Sequence, residues 1–427
     1  MPSQQVPQSP GARPRFFYGY IVAGAALLIT AITFGSYNSF GIFFESVLTD
    51  FDWTRAIISG GYSLSWIMAG LLGITMGRLT DRVGPRVVLT ISGFLVGLGY
   101  LLMSQIDAVW QLYLFYGVII GSGMGGAWIP IVSTVARWFS KRRSLMTGIV
   151  LSGVSIGTLI GAPVINRLIS AYEWRISSII VGGIVLVVVV SAAQFLRRDP
   201  THAGQEPYSE SEGEKGEPVS ETRSHSLREA ARTRQFWLIS GMFFCFGFCV
   251  YTVIAHIVLH AIGLGISSTG AANILAAMGG LSIVGRIVLG SVADRFGNRR
   301  VFIIGFILMA AALFWLVPAK ELWGLYLFAV VFGFAFGGCA TSESPLVARL
   351  FGLSSHGLIL GVINLVGFTF GAAVGPLLAG RIFDIALSYQ LAFIVCAALS
   401  VVGLILTALL SPIERHDCSQ ARRYAGS

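Results

Sequence analysis

Residues 77–86 read GRLTDRVGPR, and residues 290–300 read GSVADRFGNRR. In each copy a glycine (Gly77, Gly290) is followed four residues later by an Asp-Arg pair, Asp81-Arg82 or Asp294-Arg295. A second glycine (Gly84, Gly297) stands three residues after the Asp, and further arginines follow, among them Arg86. Gly290 follows Gly77, and Gly297 follows Gly84, by the same 213 positions. Two other landmarks keep nearly that spacing. Val135-Ala136-Arg137 returns as Val347-Ala348-Arg349, and Gly157, Gly161 and Pro163 return as Gly371, Gly375 and Pro376. A repeat at fixed spacing defines architecture. The chain is two similar halves.

Composition supplies the class. Mean hydropathy is +0.77, with 55% hydrophobic and 11% charged residues, where soluble domains carry about 25% charged residues. Twelve apolar runs recur, at about 16–44, 54–77, 87–105, 109–136, 144–169, 174–196, 235–262, 269–293, 301–318, 322–348, 357–381 and 388–411. Each is long enough for about 30 Å of hydrocarbon, and only helices or closed barrels satisfy their backbone there. The reading is an all-α membrane protein of twelve transmembrane helices in two six-helix bundles, 16–196 and 234–411. A disordered N-terminus (1–15), a polar linker (197–233) and a tail (412–427) flank them.

The formal charge of +9 invites a nucleic-acid reading, and its distribution argues against one. With both termini cytoplasmic, 23 of the 29 Lys and Arg fall in cytoplasmic segments. That is the positive-inside bias, so the charge expresses topology in a cell inner (plasma) membrane. No basic face with interleaved aromatics stands outside the membrane, so nucleic acid is excluded as a partner. The five cysteines lack His or carboxylate partners at ligand spacing, so they read as packing residues and no metal is expected. No cofactor is expected, and no nucleophile–base pair points to an enzyme. A cleavable signal peptide is not evident, because the first apolar run is too long.

Within the spans, polar and small residues carry the information. Tyr37 and Asn38 lie in a polar cluster of the first span, Tyr62 and Trp66 on the second, and Trp128 on the fourth. Two readings stand for Tyr37 and Asn38: interhelical packing or the lining of a cavity. Gly117, Gly121 and Gly125 of span four, and Gly148, Gly153, Gly157 and Gly161 of span five, form small-residue seams. Such breaks at matching places in both halves point to a moving, cavity-lining helix pair.

Arg286 is the most informative position. It precedes Asp294 by eight residues, so it sits about 12 Å deeper than the loop at 1.5 Å per residue. An intramembrane charge is a functional hypothesis by default, and a guanidinium presents a fork that fits a carboxylate. The plainer alternative is that Arg286 snorkels toward the interface or pairs structurally with Glu343 of span ten. Glu343 itself reads either as a structural ion-pair former or as a proton carrier. His256 and His260 on span seven read either as packing residues or, for His256 above all, as a proton-coupling group. The decamers are expected to turn tightly at Gly84 and Gly297. Their acids and arginines, with Arg137 and Arg349, are expected to latch the halves together on the inner side when the cavity opens outward.

These residues carry a resemblance. The paired GxLxDRxGxR-like turns in a 6+6 layout resemble the major facilitator superfamily. Arg137-Trp138-Phe139-Ser140-Lys141-Arg142-Arg143, continuing to Gly148 and Gly153, looks like the start of the fifth span of monocarboxylate transporters. Arg-Thr-Arg-Gln-Phe-Trp at 232–237 and Arg286 are similar to the same family and to its oxalate/formate exchanger relatives. The resemblance implies that Arg286 binds a substrate carboxylate and that a small organic anion moves by alternating access. Three departures stand out. Ser282 occupies the place of an Asp, the first span has no Lys, and Asn364 stands where exchangers have a Lys. One cation in the cavity favours a monoanion such as lactate, pyruvate or formate.

The resulting expectation is a proton-coupled symporter of a monocarboxylate. Arg286 holds the carboxylate, and Asn364, Asn38, Tyr37 and Tyr62 hydrogen-bond it. Trp128 and Phe336 wall the apolar part. Its partners are the small carboxylate, protons and the lipid bilayer, and the unit is expected to be a monomer. The alternatives are an oxalate/formate-type exchanger and a drug or neutral-solute facilitator, the latter resting on Glu343 as a cavity acid.

Overall fold

The computed structural model describes residues 17–139, 143–198, 226–352 and 356–410, apart from the side chains of 81, 136, 143–145 and 356. The N-terminal segment 1–15, the tail 412–427, most of the linker 197–233 and the acid of Asp81 therefore lie outside the described residues. Eleven of the described helices are long and apolar enough to cross a membrane. One of them, Arg143–Ala193, has 51 residues, about 77 Å at helical rise and far more than one crossing of about 30 Å. It breaks at Glu173, whose φ of 66° and ψ of 165° are not helical. It is two passes, which makes twelve among the described residues.

In chain order these are α1 (Gly19–Asp50), α2 (Arg55–Val83), α3 (Pro85–Met103), α4 (Val109–Val135), α5 (143–172) and α6 (174–193). The second half has α7 (Arg234–Gly263), α8 (Ser268–Phe296), α9 (Asn298–Leu316), α10 (Leu322–Phe351), α11 (Gly357–Ala386) and α12 (Gln390–Ala408). Helix α1 bends at Ser39. Helices α4 and α11 carry π-helical stretches, Tyr113–Ile120 and Asn364–Thr369, a feature that frequently marks functional sites. Ahead of α7, the short helix Leu227–Ala230 begins in a capping box. The Glu229 N–H donates to Ser226 Oγ (3.3 Å) and the Ser226 N–H to the Glu229 carboxylate (2.9 Å).

The decamers form matching turns. Gly84 (φ 90°) separates α2 from α3 and Gly297 (φ 89°) separates α8 from α9, a backbone region open to glycine alone at low cost. The helix that follows each turn is then tied to the end of the sixth helix of its own half. Arg86 Nε donates to Gln194 Oε1 (2.6 Å), and Arg299 Nε donates to Thr407 O (3.2 Å).

Glycine seams set the packing of each bundle. Along α1 and α5, a Cβ placed on Gly153 would meet Leu27 O at 2.7 Å, and one on Gly157 would meet Ala31 O at 2.1 Å. Along α7 and α11, an added Cβ would stand 2.4 Å from Ser240 O at Gly367, 2.2 Å from Phe244 O at Gly371 and 2.7 Å from Phe248 O at Gly375. The pairs α2–α4 and α8–α10 repeat the device: an added Cβ would stand 2.6 Å from Ser65 O at Gly121 and 2.0 Å from Ser282 O at Gly337. Small residues let helix backbones approach where lipid gives no hydrophobic drive between helices. Large apolar side chains such as Leu71, Val187 and Ile385 face outward, as a hydrocarbon solvent permits.

The ends that carry the decamers form a basic side; the other ends form a far side. At the far side the halves are closed on each other. Asp384 of α11 accepts from the Arg55 and Ala56 N–H groups of α2, each at 2.9 Å. The Arg55 guanidinium lies 3.6 Å from the Phe383 ring centroid. On the flank, Asn166 of α5 donates to Thr269 of α8 (3.3 Å).

Candidate substrate-binding site

Arg286 lies on α8 facing α5, buried to 7% exposure. The antiparallel seam of these helices explains its setting. Asn166 pairs with Thr269, a Cβ on Gly279 would touch Thr158, and Ser282 donates to Ser155 Oγ at 2.6 Å. One turn further toward the basic side, Arg286 reaches back across the seam and its Nε donates to Ser155 Oγ at 3.2 Å. Its Nη1 is buried and has no hydrogen-bond partner. Burying a charge is costly unless it is paired, so an unpartnered guanidinium nitrogen at mid-depth has the chemistry to accept an anion.

The structural pair with Glu343 is not formed. Among the described residues, no carboxylate oxygen lies within 4.0 Å of the guanidinium. Glu343, half-buried on α10, and the Tyr251 hydroxyl stand within electrostatic reach. Phe336 presents its ring 5.9 Å from Arg286 Cζ, and an aromatic belt continues from it. Phe246 lies 6.2 Å from Phe336 and 6.0 Å from Phe368, Phe368 lies 5.7 Å from Tyr251, and Tyr251 lies 4.2 Å from Trp66 of the other half.

The remaining candidate residues divide. Tyr37 stacks on Tyr62 (5.2 Å) and its hydroxyl is bonded to Ser65 Oγ (2.7 Å) inside the N-terminal bundle. Tyr37 meets Trp66 edge-on at 5.5 Å, which joins this cluster to the belt. Asn38 donates to Thr158 Oγ1 (2.9 Å), a packing bond between α1 and α5. Among the buried polar atoms left unpartnered are the Tyr62 hydroxyl, Asn38 Oδ1, Trp66 Nε1 and Asn364 Oδ1, the last in the π-helical stretch of α11. Trp128 packs edge-on against Phe34 at 5.7 Å. Arg286 and Phe336 are thus brought together directly, with Glu343 nearby, whereas Asn38 and Trp128 are committed to neighbouring helices.

His256 sits in the far-side closure. Its Nε2 lies 2.9 Å from Pro376 O and 3.3 Å from Ser59 Oγ, and its Nδ1 lies 3.0 Å from the Tyr389 hydroxyl. A carbonyl only accepts, so Nε2 carries the proton and Nδ1 accepts from Tyr389. Tyr389 in turn accepts from Arg55. His260 packs its ring on Phe393 at 4.9 Å.

On the basic side, the side chain of Asp81, one of the expected latch acids, lies outside the described residues. Arg86 and Arg299 bond within their own halves. Arg349 reaches the turn of its own half, its Nη1 standing 2.7 Å from a Cβ placed on Gly297. Among the described residues no group of three or more His, Cys, Asp or Glu gathers at a metal-binding spacing, and Cys245, Cys249, Cys339 and Cys396 are buried free thiols.

Sequence reasoning missed Ser155, Asp384 and Tyr389. Each is an ordinary residue whose role exists only once two distant helices are in register. The serine at 282, noted as the replacement for an acid, was the available pointer to Ser155.

The family model described as the Major Facilitator Superfamily matches residues 26–290 and 261–423. The chain is 26% identical to human monocarboxylate transporter 7, covering 94% of this chain and 87% of that protein. It is 27% identical to rat monocarboxylate transporter 13 over 90% of this chain and 87% of that one. It is 28% identical to the uncharacterized MFS-type transporter YhjX of Escherichia coli K12 over 81% and 84%. In fold it is similar to a bacterial homologue of the human lysosomal transporter Spinster, crystallised inward-facing and unoccupied (TM-score 0.72, 16% identity, 93% and 97% covered). A point mutant of the nucleoside transporter NupG gives a TM-score of 0.69 at 14% identity, with 91% and 99% covered. The chain belongs to the Major Facilitator Superfamily and is a multi-pass membrane transporter of organic solutes, not an enzyme.

Proposed function

We propose that the protein is a secondary active transporter of small monocarboxylates, lactate- or pyruvate-like, that works by alternating access as a proton-coupled symporter. The observation that carries this reading is Arg286, a buried guanidinium at mid-depth with an unpartnered Nη1 and, among the described residues, no carboxylate oxygen within 4.0 Å. A monoanion neutralises one guanidinium, and the fork geometry suits a carboxylate. Phe336 walls the apolar end of the ligand, and Asn364, with its free Oδ1, hydrogen-bonds a hydroxyl of it. Tyr62 supplies a second hydroxyl from the N-terminal half, with Tyr37, Asn38 and Trp128 shaping the wall behind it. Glu343 is the group suited to carry the coupled proton, because it is a carboxylic acid with electrostatic reach to Arg286. His256 is the second candidate.

In this reading the basic side is cytoplasmic, both termini lie there, and the protein works as a monomer in the cell inner membrane. The latch residues of the two decamers, with Arg137 and Arg349, exchange partners when the far side opens. Exchange of organic anions is a second reading, favoured by Ser282: a hydroxyl beside Arg286 offers no proton to travel with substrate.

The deciding experiment is uptake of labelled L-lactate into proteoliposomes with and without an inward proton gradient, for wild type and Arg286→Ala. Gradient-stimulated uptake that is lost in the mutant supports symport. Uptake only into anion-preloaded vesicles moves the assignment to exchange. Saturable lactate uptake by Arg286→Ala overturns the site.

A further inference from the structure

We infer that Ser155 is a positioning residue for the anion site, holding Arg286 by its Nε and tying the substrate-binding cation to the opposite half while the far side is closed. This rests on Arg286 as the carboxylate site. A guanidinium has five N–H donors in a fixed fork. The Ser155 oxygen takes the one on Nε at 3.2 Å, and that leaves the Nη end for a bidentate carboxylate. The acceptor is neutral, so it orients the cation without cancelling its charge. An acid at the same place would act as a built-in counter-ion and compete with substrate.

Ser155 is itself held. Ser282, one turn before Arg286, donates to its oxygen at 2.6 Å, and all three groups are buried. The arrangement crosses the molecule, because Ser155 belongs to α5 of the first half and Arg286 with Ser282 to α8 of the second. It continues a seam in which Asn166 meets Thr269 and Gly279 lies so close that an added Cβ would stand 3.0 Å from Leu159 N. Opening the far side requires α5 and α8 to part along this seam. Arg286 Nε then loses its acceptor, and the fork loses the orientation that suits the ligand. The closed-far-side state therefore binds the anion more tightly than the opposite state, which is the differential affinity a ligand needs to bias such an equilibrium.

The test compares wild type, Ser155→Ala, Ser155→Thr, Arg286→Lys and the Ser155→Ala/Arg286→Lys double variant. Two readouts are taken: the KM and Vmax of L-lactate uptake in proteoliposomes, and the distance between spin labels at positions 52 and 320 without lactate. Those positions are exposed at the far side of the two halves. Loss of a hydrogen bond to a charged group is expected to raise KM about tenfold in Ser155→Ala, with Ser155→Thr close to wild type and Vmax little changed. The label distance is expected to lengthen in Ser155→Ala. Lysine has no Nε–H at that position, so adding Ser155→Ala to Arg286→Lys changes neither readout further. An unchanged KM in Ser155→Ala, or effects that multiply independently in the double variant, overturns the positioning role. An unchanged distance overturns the tie between halves. If wild type carries no lactate, the monocarboxylate reading fails, and the distance measurements in the same variants still decide the role of Ser155.

Discussion

Asp384 caps a helix of the opposite half: its two carboxylate oxygens accept from the N–H groups of Arg55 and Ala56, each at 2.9 Å. These are the first two amides of α2, and Thr54 Oγ1 takes the next, from Ile57 (3.3 Å). Helix N-termini leave such donors unsatisfied and favour negative charge. In the closed state the second half thus completes a helix of the first. Asp384→Ala is expected to cost the closed far side about 1–2 kcal/mol, a shift of about tenfold in its population. Labelling of a cysteine introduced at Ser59, buried beneath this contact, should accelerate by that factor in Asp384→Ala. An unchanged labelling rate would show that the cap does not hold the gate.

Tyr389 links this gate to α7, because its hydroxyl accepts from Arg55 and donates to His256 Nδ1 at 3.0 Å. Tyr389→Phe keeps the ring over which Arg55 lies (5.2 Å) and removes both bonds. The expected result is a closed state weakened by about 1–3 kcal/mol, read as faster labelling at Ser59. In the Asp384→Ala background the added effect should be smaller than in wild type, since the two residues share Arg55. Full additivity of the two changes would separate them.

The glycine seams predict a graded series. Gly157→Ala places a Cβ 2.1 Å from Ala31 O, and Gly371→Ala places one 2.2 Å from Phe244 O. Backbone carbonyls cannot yield as a flexible side chain does, so each substitution must push α1 from α5 or α7 from α11. Overpacking of this kind costs about 1–3 kcal/mol. Gly148→Ala meets nothing within 4 Å and is expected to gain about 0.5–1 kcal/mol from helix propensity. Melting temperatures in detergent should rank Gly148→Ala at or above wild type and the two seam variants well below it. A seam variant as stable as Gly148→Ala would mean that the helices close less tightly there.

Much of this architecture is legible in the sequence because the information is local or periodic. The offset shared by Gly84 and Gly297 foretells two equal turns, and both have a positive φ. The spacing of Gly153, Gly157 and Gly161 foretells a close helix approach, although not its partner α1. The bend at Glu173, hidden in a helix of 51 residues, still left two apolar runs to be counted. What could not be read is register between halves. Ser155 and Arg286 are 131 positions apart, and Arg55 and Asp384 are 329 apart. No short-range rule pairs a serine or an aspartate over such distances. Arg286 was legible for a different reason: a charge inside an apolar run is conspicuous whatever it touches. Asn38 was conspicuous too, and its amide turned out to bond Thr158.

Glu343 and Arg286 give the last prediction. They share electrostatic reach without an ion pair within 4.0 Å, so a proton on Glu343 changes the charge sensed by the guanidinium and its ligand. With substrate bound, an ionised Glu343 leaves the site with one net negative charge, and a protonated one leaves it neutral. Moving one net charge through a low-dielectric interior is costly, so the loaded carrier is expected to cross only with Glu343 protonated. Glu343→Gln mimics that form permanently. It should keep lactate exchange between preloaded vesicles within a few-fold of wild type while abolishing stimulation by an inward proton gradient, a loss of tenfold or more if coupling supplies about 1.4 kcal/mol per decade of drive. Arg286→Lys serves as the control, because it weakens both modes together by losing the fork. Retained gradient stimulation in Glu343→Gln would place the proton elsewhere, with His256 next to be replaced.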